Sequence, residues 1–408
     1  MTERVLGPTG SRSRTTRASL LLMALMGVVF GVLIGGGSFA SAAKANSIFD
    51  YSQCANEVAV TTGCDSWING ILNPNNSQYR EDQVTPQRLY VDITSASNDH
   101  TYDISYLIKK GEGHAYDSLA TWNHTVDAEP CQGFNPNVTA ACEAAFAGTV
   151  DTLPILDDSL DVPSACTTED PTTSEHQLDG QEFTMAGGDM TSMEYLPGTI
   201  VDSEGVYRTV RLHFSTSGPS KVYLLFGGHL AASLTPATGS PRGWGDDCGA
   251  SSISGGPYHI KVTAVDGAAE GSRDNQIMSN AVLPLITPTL STTPSNTETF
   301  NEVLNDSLNV GNALAGGTAT FTLYADGADT CTTPIWTSGN VTVSGGTANT
   351  ISTTGTGSKQ VSPTTTTTYE WVVTYSGDES QNLGPASSAC GEETTVVTPP
   401  VVSNSGTP

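Results

Sequence analysis

Short apolar runs with a period of two residues recur along this chain of 408 residues. In 206–216, the apolar residues Val210, Leu212 and Phe214 alternate with charged or polar ones, as in a strand with one buried face. Helical periodicity is nearly absent, although 142–148 would make one or two turns. The sequence therefore predicts an all-β protein. Further runs of this kind occupy 88–95, 101–108, 182–188, 221–228 and 258–267.

The strand-like runs fall into two parts separated by a Pro/Thr/Ser-rich segment without charge, 285–297. Such a composition predicts a semi-extended linker. The larger part, 44–284, is predicted to be a β-sandwich. In the second part, 298–398, short strands alternate with Gly-rich turns, which predicts an immunoglobulin-like sandwich. The Pro/Ser/Gly-rich residues 399–408 are predicted to form a flexible tail.

Eight cysteines are present, and all of them follow residue 43. In an oxidising compartment an even number predicts disulfides. Eight cysteines can pair in roughly a hundred ways, and the sequence does not choose among them. A metal site is disfavoured because no C-x-x-C and no His at ligand spacing accompanies them. Locality and elimination favour four pairs: Cys54–Cys64, Cys131–Cys142, Cys166–Cys248 and Cys331–Cys390.

An irregular segment rich in Asp, Pro and Thr lies between about 127 and 180. It has little apolar surface of its own to bury, so cysteines would be needed to hold it. We therefore expect a disulfide-stapled insertion that leaves the larger sandwich and returns to it.

The N-terminal residues 1–43 have the three parts of a secretory signal. Four arginines lie within 1–17, an apolar run extends from Ala18 to Ile34, and small residues follow. The alternative is an uncleaved membrane anchor, for which the apolar run is at the short limit. Export predicts a protein that is secreted or located at the cell surface, with no membrane contact after cleavage.

The formal net charge is −26, although only 14% of the residues are charged. Without 1–43, which hold four Arg and one Glu, 12 bases and 41 acids remain and the net charge is −29. Nucleic-acid binding needs clustered Lys and Arg, and so does attraction to anionic lipid. The composition therefore excludes nucleic acid as a partner and disfavours a polybasic membrane contact.

The segment from Leu304 to Val397 resembles the immunoglobulin-like repeats of bacterial secreted and surface proteins. The motifs that carry this resemblance are LNDS, FTLY, CTTPIWTS, TYEWVVTYSGD and SSACGEE. In the family a Cys after the FTLY strand pairs with one near the last strand, which here matches Cys331 and Cys390. The resemblance covers about 95 residues and implies a spacer or adhesive module without catalytic activity.

The larger segment, 46–284, is similar to a recurrent extracellular domain of bacterial secreted proteins. The similarity rests on four stretches, 66–93, 109–126, 222–231 and 254–267. That domain often precedes immunoglobulin-like modules and has no assigned reaction. The similarity therefore implies a domain boundary and a surface location, but it implies no chemistry.

Residue types suited to chemistry are concentrated in 109–124, where Asp117 and Ser118 accompany two histidines. A hydrolase needs a nucleophile, a base and an orienting acid within hydrogen-bond reach, and neighbours in sequence rarely have that geometry. No G-x-S-x-G and no H-E-x-x-H motif is present. Locally bonded, structural side chains are the favoured interpretation. The alternative is a ligand groove formed by His114, Tyr116, Trp122, His229 and His259.

Calcium is the natural ion for an acidic secreted protein because it binds carboxylate and carbonyl oxygens. The weak candidates are Asp246 and Asp247, beside Cys248, and a second acidic stretch is 157–161. A solvated acidic loop is the favoured alternative, and we expect no other cofactor. Exposed Trp side chains, Trp67 and Trp244 among them, are candidates for stacking on sugars.

These observations predict a secreted, non-catalytic structural or adhesion protein. Its partner would be an extracellular glycan, a protein ligand or a second copy of the chain. One alternative is a secreted carbohydrate-active hydrolase or carbohydrate-binding protein. Another is a protein that captures a ligand or metal with His114, His229 and His259.

Overall fold

The computed structural model describes residues 46–56, 63–64, 66–160, 166, 173–234, 243–295, 298–299, 301–325 and 330–399. The predicted signal peptide, 1–43, lies outside the described residues. The predicted tail, 399–408, also lies outside them except for its first residue.

The first part of the chain is built almost entirely of strands, as the period-two pattern predicts. Among its described residues, the strands are interrupted by three short 3-10 helices, Thr173–His176, Ala250–Ser252 and Ser279–Ala281. The regular elements are β1 (Ser47–Ala55), β2 (Ser66–Ile68), β3 (Ile71–Leu72), β4 (Tyr79–Arg80), β5 (Val84–Ile93), β6 (Ser97–Lys110), β7 (Gly113–His114), β8 (Tyr116–Ala120), α1 (Pro136–Phe146), β9 (Val150–Pro154), β10 (Glu182–Ala186), β11 (Asp189–Tyr195), β12 (Ile200–Val201), β13 (Val206–Thr216), β14 (Ser220–Leu230), β15 (Tyr258–Val265), β16 (Ala268–Ile277) and β17 (Val282–Leu283).

Apart from β4 and β17, which pair with each other in parallel, these strands form a sandwich of two mainly antiparallel sheets. One has the order β2-β1-β5-β14-β10-β9, with β8 also on β14. The other has the order β11-β13-β6-β15-β16-β3, with β12 on β13 and β7 on β6. Alternate side chains of both sheets point inward and form one hydrophobic core, as expected for facing sheets. The continuous apolar run Leu224–Phe226 lies in β14, which is central and buried on both faces.

The part of the predicted insertion, 127–180, that surrounds α1 packs on the outer face of the first sheet. Residues 161–165 and 167–172 lie outside the described residues. Helix α1 begins after Asn135, whose side chain accepts a hydrogen bond from the Val138 N–H, a favourable N-cap. Beneath it, Tyr90 and Tyr223 stack with centroids 4.6 Å apart, and Phe134 meets both rings edge-on. Strand β9 then extends the same sheet beside β10.

The second part of the chain forms another sandwich with its own hydrophobic core. Its sheets have the orders β18-β20-β23 and β19-β27-β25-β21-β22-β24, with β26 on β25. This strand order is that of an immunoglobulin-like sandwich. The strands are β18 (Leu290–Pro294), β19 (Glu298–Thr299), β20 (Asp306–Val310), β21 (Thr318–Tyr324), β22 (Pro334–Thr342), β23 (Thr347–Asn349), β24 (Thr356–Gly357), β25 (Thr367–Tyr375), β26 (Ala386–Ser387) and β27 (Thr394–Thr398), with a 3-10 helix at Glu379–Gln381.

The linker predicted over 285–297 contains ordered strand structure, so that prediction is wrong for its central residues. Strand β18 pairs in antiparallel register with β20. Just before it, the Ile286 N–H donates to the Asn382 carbonyl, and the Ile286 carbonyl accepts from the Gly384 N–H. Local composition could not show this, because a Thr-rich segment is a good strand only when a partner edge is present.

Four disulfides join the pairs that locality and elimination favoured. Two close short loops, and one of these holds α1 to the loop before it. The Cys331–Cys390 bond lies within the second sandwich and joins two loops. The four pairs are Cys54–Cys64, Cys131–Cys142, Cys166–Cys248 and Cys331–Cys390.

Candidate functional site

Two histidines of the predicted groove lie on opposite outer faces of the first sandwich. In β14, a side chain at Gly228 would enter the core and clash with Ile260 and Tyr116. The next residue, His229, therefore points to the outer face of its sheet. In β15, Tyr258 and Ile260 belong to the core, so His259 points away from it on the other sheet. The structure does not bring His229 and His259 together.

His229 is buried between two carboxylates at the end of β14. Its Nδ1 donates to Asp117 Oδ1 at 2.5 Å and its Nε2 donates to Asp82 Oδ1 at 3.1 Å. Asp82 has a left-handed backbone, with φ of 71°, and its N–H donates to the Leu230 carbonyl. The turn before β5 is thereby held against the end of β14, where Asp82 reaches the His229 ring.

These two carboxylates keep the His229 ring positively charged. Burial alone would lower the pKa of His229, but Asp117 and Asp82 outweigh burial and raise it to about 10. A ring that keeps both protons at neutral pH cannot accept a proton as a general base. It also cannot bind a transition metal, because a histidine binds a metal only through a neutral imidazole ring. The chemistry of His229 is therefore that of a buried structural cation.

His114 has the opposite electrostatic character. Its ring stacks on Trp244 with centroids 3.5 Å apart, and His176 stacks on the other face of Trp244 at 3.6 Å. Burial, His176 and Lys109 together lower the pKa of His114 to about 3, so the ring is neutral at physiological pH. The backbone N–H of His114 donates to the Cys248 carbonyl. This His–Trp–His stack thus packs beside the Cys166–Cys248 disulfide.

Tyr116 and Trp122 do not complete a groove with these histidines. Tyr116 is fully buried in the core and meets the Tyr258 ring edge-on, with centroids 5.5 Å apart. Trp122 is half-buried in the loop after β8. Among the described residues, the five predicted groove residues thus have separate surroundings.

His259 belongs to a network of charged groups on the outer face of the second sheet. Its Nδ1 faces both carboxylate oxygens of Asp274 at 2.9 Å. Glu204 accepts hydrogen bonds from Lys261 at 2.5 Å and from the Tyr207 hydroxyl at 2.7 Å. The hydrogen bond from Lys261 is the main cause that lowers the pKa of Glu204 to about 2. Every charge here has an opposite partner, which indicates a structural network.

Asp246 and Asp247, the weak calcium candidates, are both exposed in the loop before Cys248. Neither belongs to a group of three clustered ligand side chains in the described part of the chain. In the acidic stretch 157–161, Asp158 is buried and makes a bidentate ion pair with Arg208 at 2.5 and 2.9 Å. Asp161 lies outside the described residues. Among the described residues, neither predicted position holds a cluster of three possible ligand side chains.

The described residues contain one cluster of three possible metal-ligating side chains: Cys331, Glu370 and Cys390. Its two cysteines form a disulfide. A cysteine binds a metal ion through its thiolate, which a disulfide does not offer. This cluster is therefore not a metal site.

Two of the Trp side chains that were candidates for sugar stacking, Trp67 and Trp244, are buried. Trp67 donates from Nε1 to the Glu129 carbonyl at 2.9 Å, and Trp244 lies inside the histidine stack.

Sequence reasoning missed Arg88, whose guanidinium lies 4.7 Å from the Trp67 ring and 3.7 Å from the Phe134 ring. The sequence signal was the position of Arg88 on the outer face of β5, because an arginine is buried there only if another segment covers it.

Comparisons with known proteins leave the function to be inferred from this geometry. No protein-family model matches the chain, and no curated protein matches it in sequence. Within the described ranges, no helix is long and apolar enough to cross a membrane.

Proposed function

We propose that this chain is a secreted, non-catalytic protein of the cell surface or extracellular matrix, which adheres or assembles through its sandwiches. One observation carries the proposal: the histidines that would act as bases or metal ligands are held in structural contacts. His229 is a buried cation between two carboxylates. His114 is a neutral ring stacked on Trp244. Neither ring is available to a substrate.

The disulfides support the extracellular part of this proposal. Four of them stabilise the described structure, and such bonds persist in oxidising compartments. The excess of acids over bases would keep an exported protein soluble and would disfavour contact with anionic partners. An extracellular glycan, a protein ligand or a second copy of the chain is the proposed partner.

The edge of the second sheet is where we would look for self-association. Strand β12 pairs with β13, and no other named strand of the described chain pairs with it. Its two side chains, Ile200 and Val201, are 53% and 71% exposed. An open strand edge with exposed apolar side chains can add a strand from a neighbouring molecule. A second copy of this chain is therefore the occupant that this edge would fit.

The experiment uses residues 44–408, expressed by secretion so that the disulfides form. Sedimentation velocity at physiological salt and negative-stain microscopy would measure assembly, while arrays of glycans and matrix proteins would measure adhesion. For assembly at the β12 edge, Val201→Lys should weaken self-association because a charged edge disfavours strand addition. Leu314→Lys is the matched control, because Leu314 is similarly exposed but lies in a loop away from β12.

Two results would overturn the proposal. One is hydrolysis of a glycan or ester by the wild-type chain that is lost in Asp117→Asn. The other is a protein that stays monomeric and binds nothing on the arrays. Assembly that Val201→Lys and Leu314→Lys leave unchanged would preserve the function but exclude the β12 edge.

A further inference from the structure

The core of the second sandwich has a polar end. In β20, Leu308 and Val310 point into the core, and Asp306 has the same parity, so its side chain also points inward. Asp306 is only 2% exposed. In β18, Thr292 is the register partner of Leu308, and it shares that inward face because paired residues project to one side. One sheet therefore contributes an aspartate and a threonine to its own core.

The opposite sheet contributes a second carboxylate. In β27, Thr395 and Val397 are buried and point inward. Glu393 immediately precedes this strand and continues the same alternation. Glu393 and Thr292 line the same groove, which places Glu393 beside β18. The two acids thus face each other from different sheets.

Three oxygens at this place are buried and lack a hydrogen-bond partner: Thr292 Oγ1, Asp306 Oδ2 and Glu393 Oε2. Buried polar atoms are rarely left unpaired, because the loss of hydration is not offset. The second oxygen of Asp306 is partnered, since Oδ1 accepts from the Ser307 N–H at 2.7 Å. A cation that binds through oxygen ligands would supply the missing partner.

A groove of about 430 Å³ leads from solvent to Glu393. It lies between the β18 segment and the β26 segment, and Glu392 also lines it. No Lys, Arg or His is among the lining residues. An acidic groove of this kind attracts cations and brings them to Thr292 and Glu393, which line it.

We propose that Thr292 Oγ1, Asp306 Oδ2 and Glu393 Oε2 bind a calcium ion between the two sheets of the immunoglobulin-like sandwich. Calcium fits because all three ligands are hard oxygens and because it accepts irregular geometry, with water completing the shell. Zinc would prefer nitrogen or sulfur. The site is distinct from the exposed Asp246–Asp247 loop. A bound ion would join β18 and β20 to the start of β27 and so stabilise this sandwich.

The test measures thermal unfolding of residues 44–408 after chelation and then with about 10 mM calcium at constant ionic strength. Extracellular modules commonly bind calcium in the range of about 0.1–1 mM, so we expect a rise of roughly 2–5 °C in the melting temperature. Isothermal titration with calcium alone should give one site per chain. Asp306→Asn and Glu393→Gln should each abolish both signals.

Controls separate this site from its alternatives. The double variant Asp246→Asn/Asp247→Asn should keep the full calcium response. Near-ultraviolet circular dichroism of Asp306→Asn and Glu393→Gln would show that their cores remain packed. If the wild type shows no calcium response, the carboxylates share a proton instead and the proposal fails. A response that survives in both core variants, or one lost only in the loop variant, would overturn it equally.

Discussion

The two sandwiches differ in whether their buried charged groups have partners. In the first, buried charged groups have close partners: His229 lies between Asp117 and Asp82, and Arg208 is paired with Asp158. Glu81 likewise accepts hydrogen bonds from the hydroxyls of two serines. In the second, Asp306 and Glu393 each keep one buried oxygen without a partner. These charged groups of the first sandwich are paired, whereas the two acids of the second each keep an oxygen that a cation or a proton could occupy.

The largest effect should come from breaking the Arg208–Asp158 pair. Arg208→Leu leaves the buried Asp158 carboxylate unpaired and should lower the free energy of unfolding by about 3–5 kcal/mol. The matched control is Arg211→Leu, since the pair of Arg211 with Asp103 is less buried, with side chains 33% and 12% exposed, and its loss should cost less. Urea unfolding measures both variants. Equal losses would show that burial does not distinguish the two pairs.

Neutralising a carboxylate beside His229 should be the next largest effect. Asp117→Asn leaves the buried imidazolium with Asp82 as its remaining acid and should destabilise the fold by about 2–3 kcal/mol. Asp246→Asn, at an exposed loop position, is the control and should be neutral. If Asp117→Asn matched the control in urea unfolding, His229 would not depend on its ion pair.

His229 should also impose a pH dependence on stability. The folded state holds this proton up to about pH 10, whereas the unfolded state releases it near the usual pKa of 6.5. The contribution is therefore complete below pH 6.5 and is lost as the pH rises towards 10. Within that window the free energy of unfolding should fall with a slope approaching about 1.4 kcal/mol per pH unit. The difference from His229→Gln isolates this slope, and identical profiles would disprove it.

The smallest predicted effect has the opposite sign. With calcium chelated, Asp306→Asn removes repulsion from Glu393 without losing a charge partner, and it should stabilise the second sandwich by about 1 kcal/mol. The asparagine oxygen can still accept the Ser307 N–H. Thermal unfolding in chelator measures this change. A destabilisation as large as that of Asp117→Asn would remove the contrast between the two sandwiches.

The sequence was sufficient for the fold class because strand periodicity is local. The prediction at 206–216 coincides with β13, and 258–267 contains β15. Short separations likewise favoured two of the disulfides. The linker prediction failed because β18 is recognisable only through its pairing with β20, and that partner begins twelve residues after β18 ends.

The surroundings of the candidate site residues could not be predicted for the same reason. His229 receives its partner Asp82 from 147 residues earlier in the chain. Trp244 is buried because His114 and His176 come from two distant segments. The histidines, aspartate and serine of one segment suggested chemistry only as an alternative, and strand alternation sends these side chains to different faces. Only long-range contacts distinguish a structural histidine from a reactive one.

The central claim is that His229 is a permanently charged structural residue and no base or metal ligand. Nuclear magnetic resonance of the histidine ring nitrogens, in chains labelled at histidine and compared with His229→Gln, tests it directly. We predict that His229 carries both protons at pH 7, titrates near pH 10 and is unaffected by added zinc. A neutral ring at pH 7, or a zinc-dependent shift of its nitrogen signals, would contradict the account.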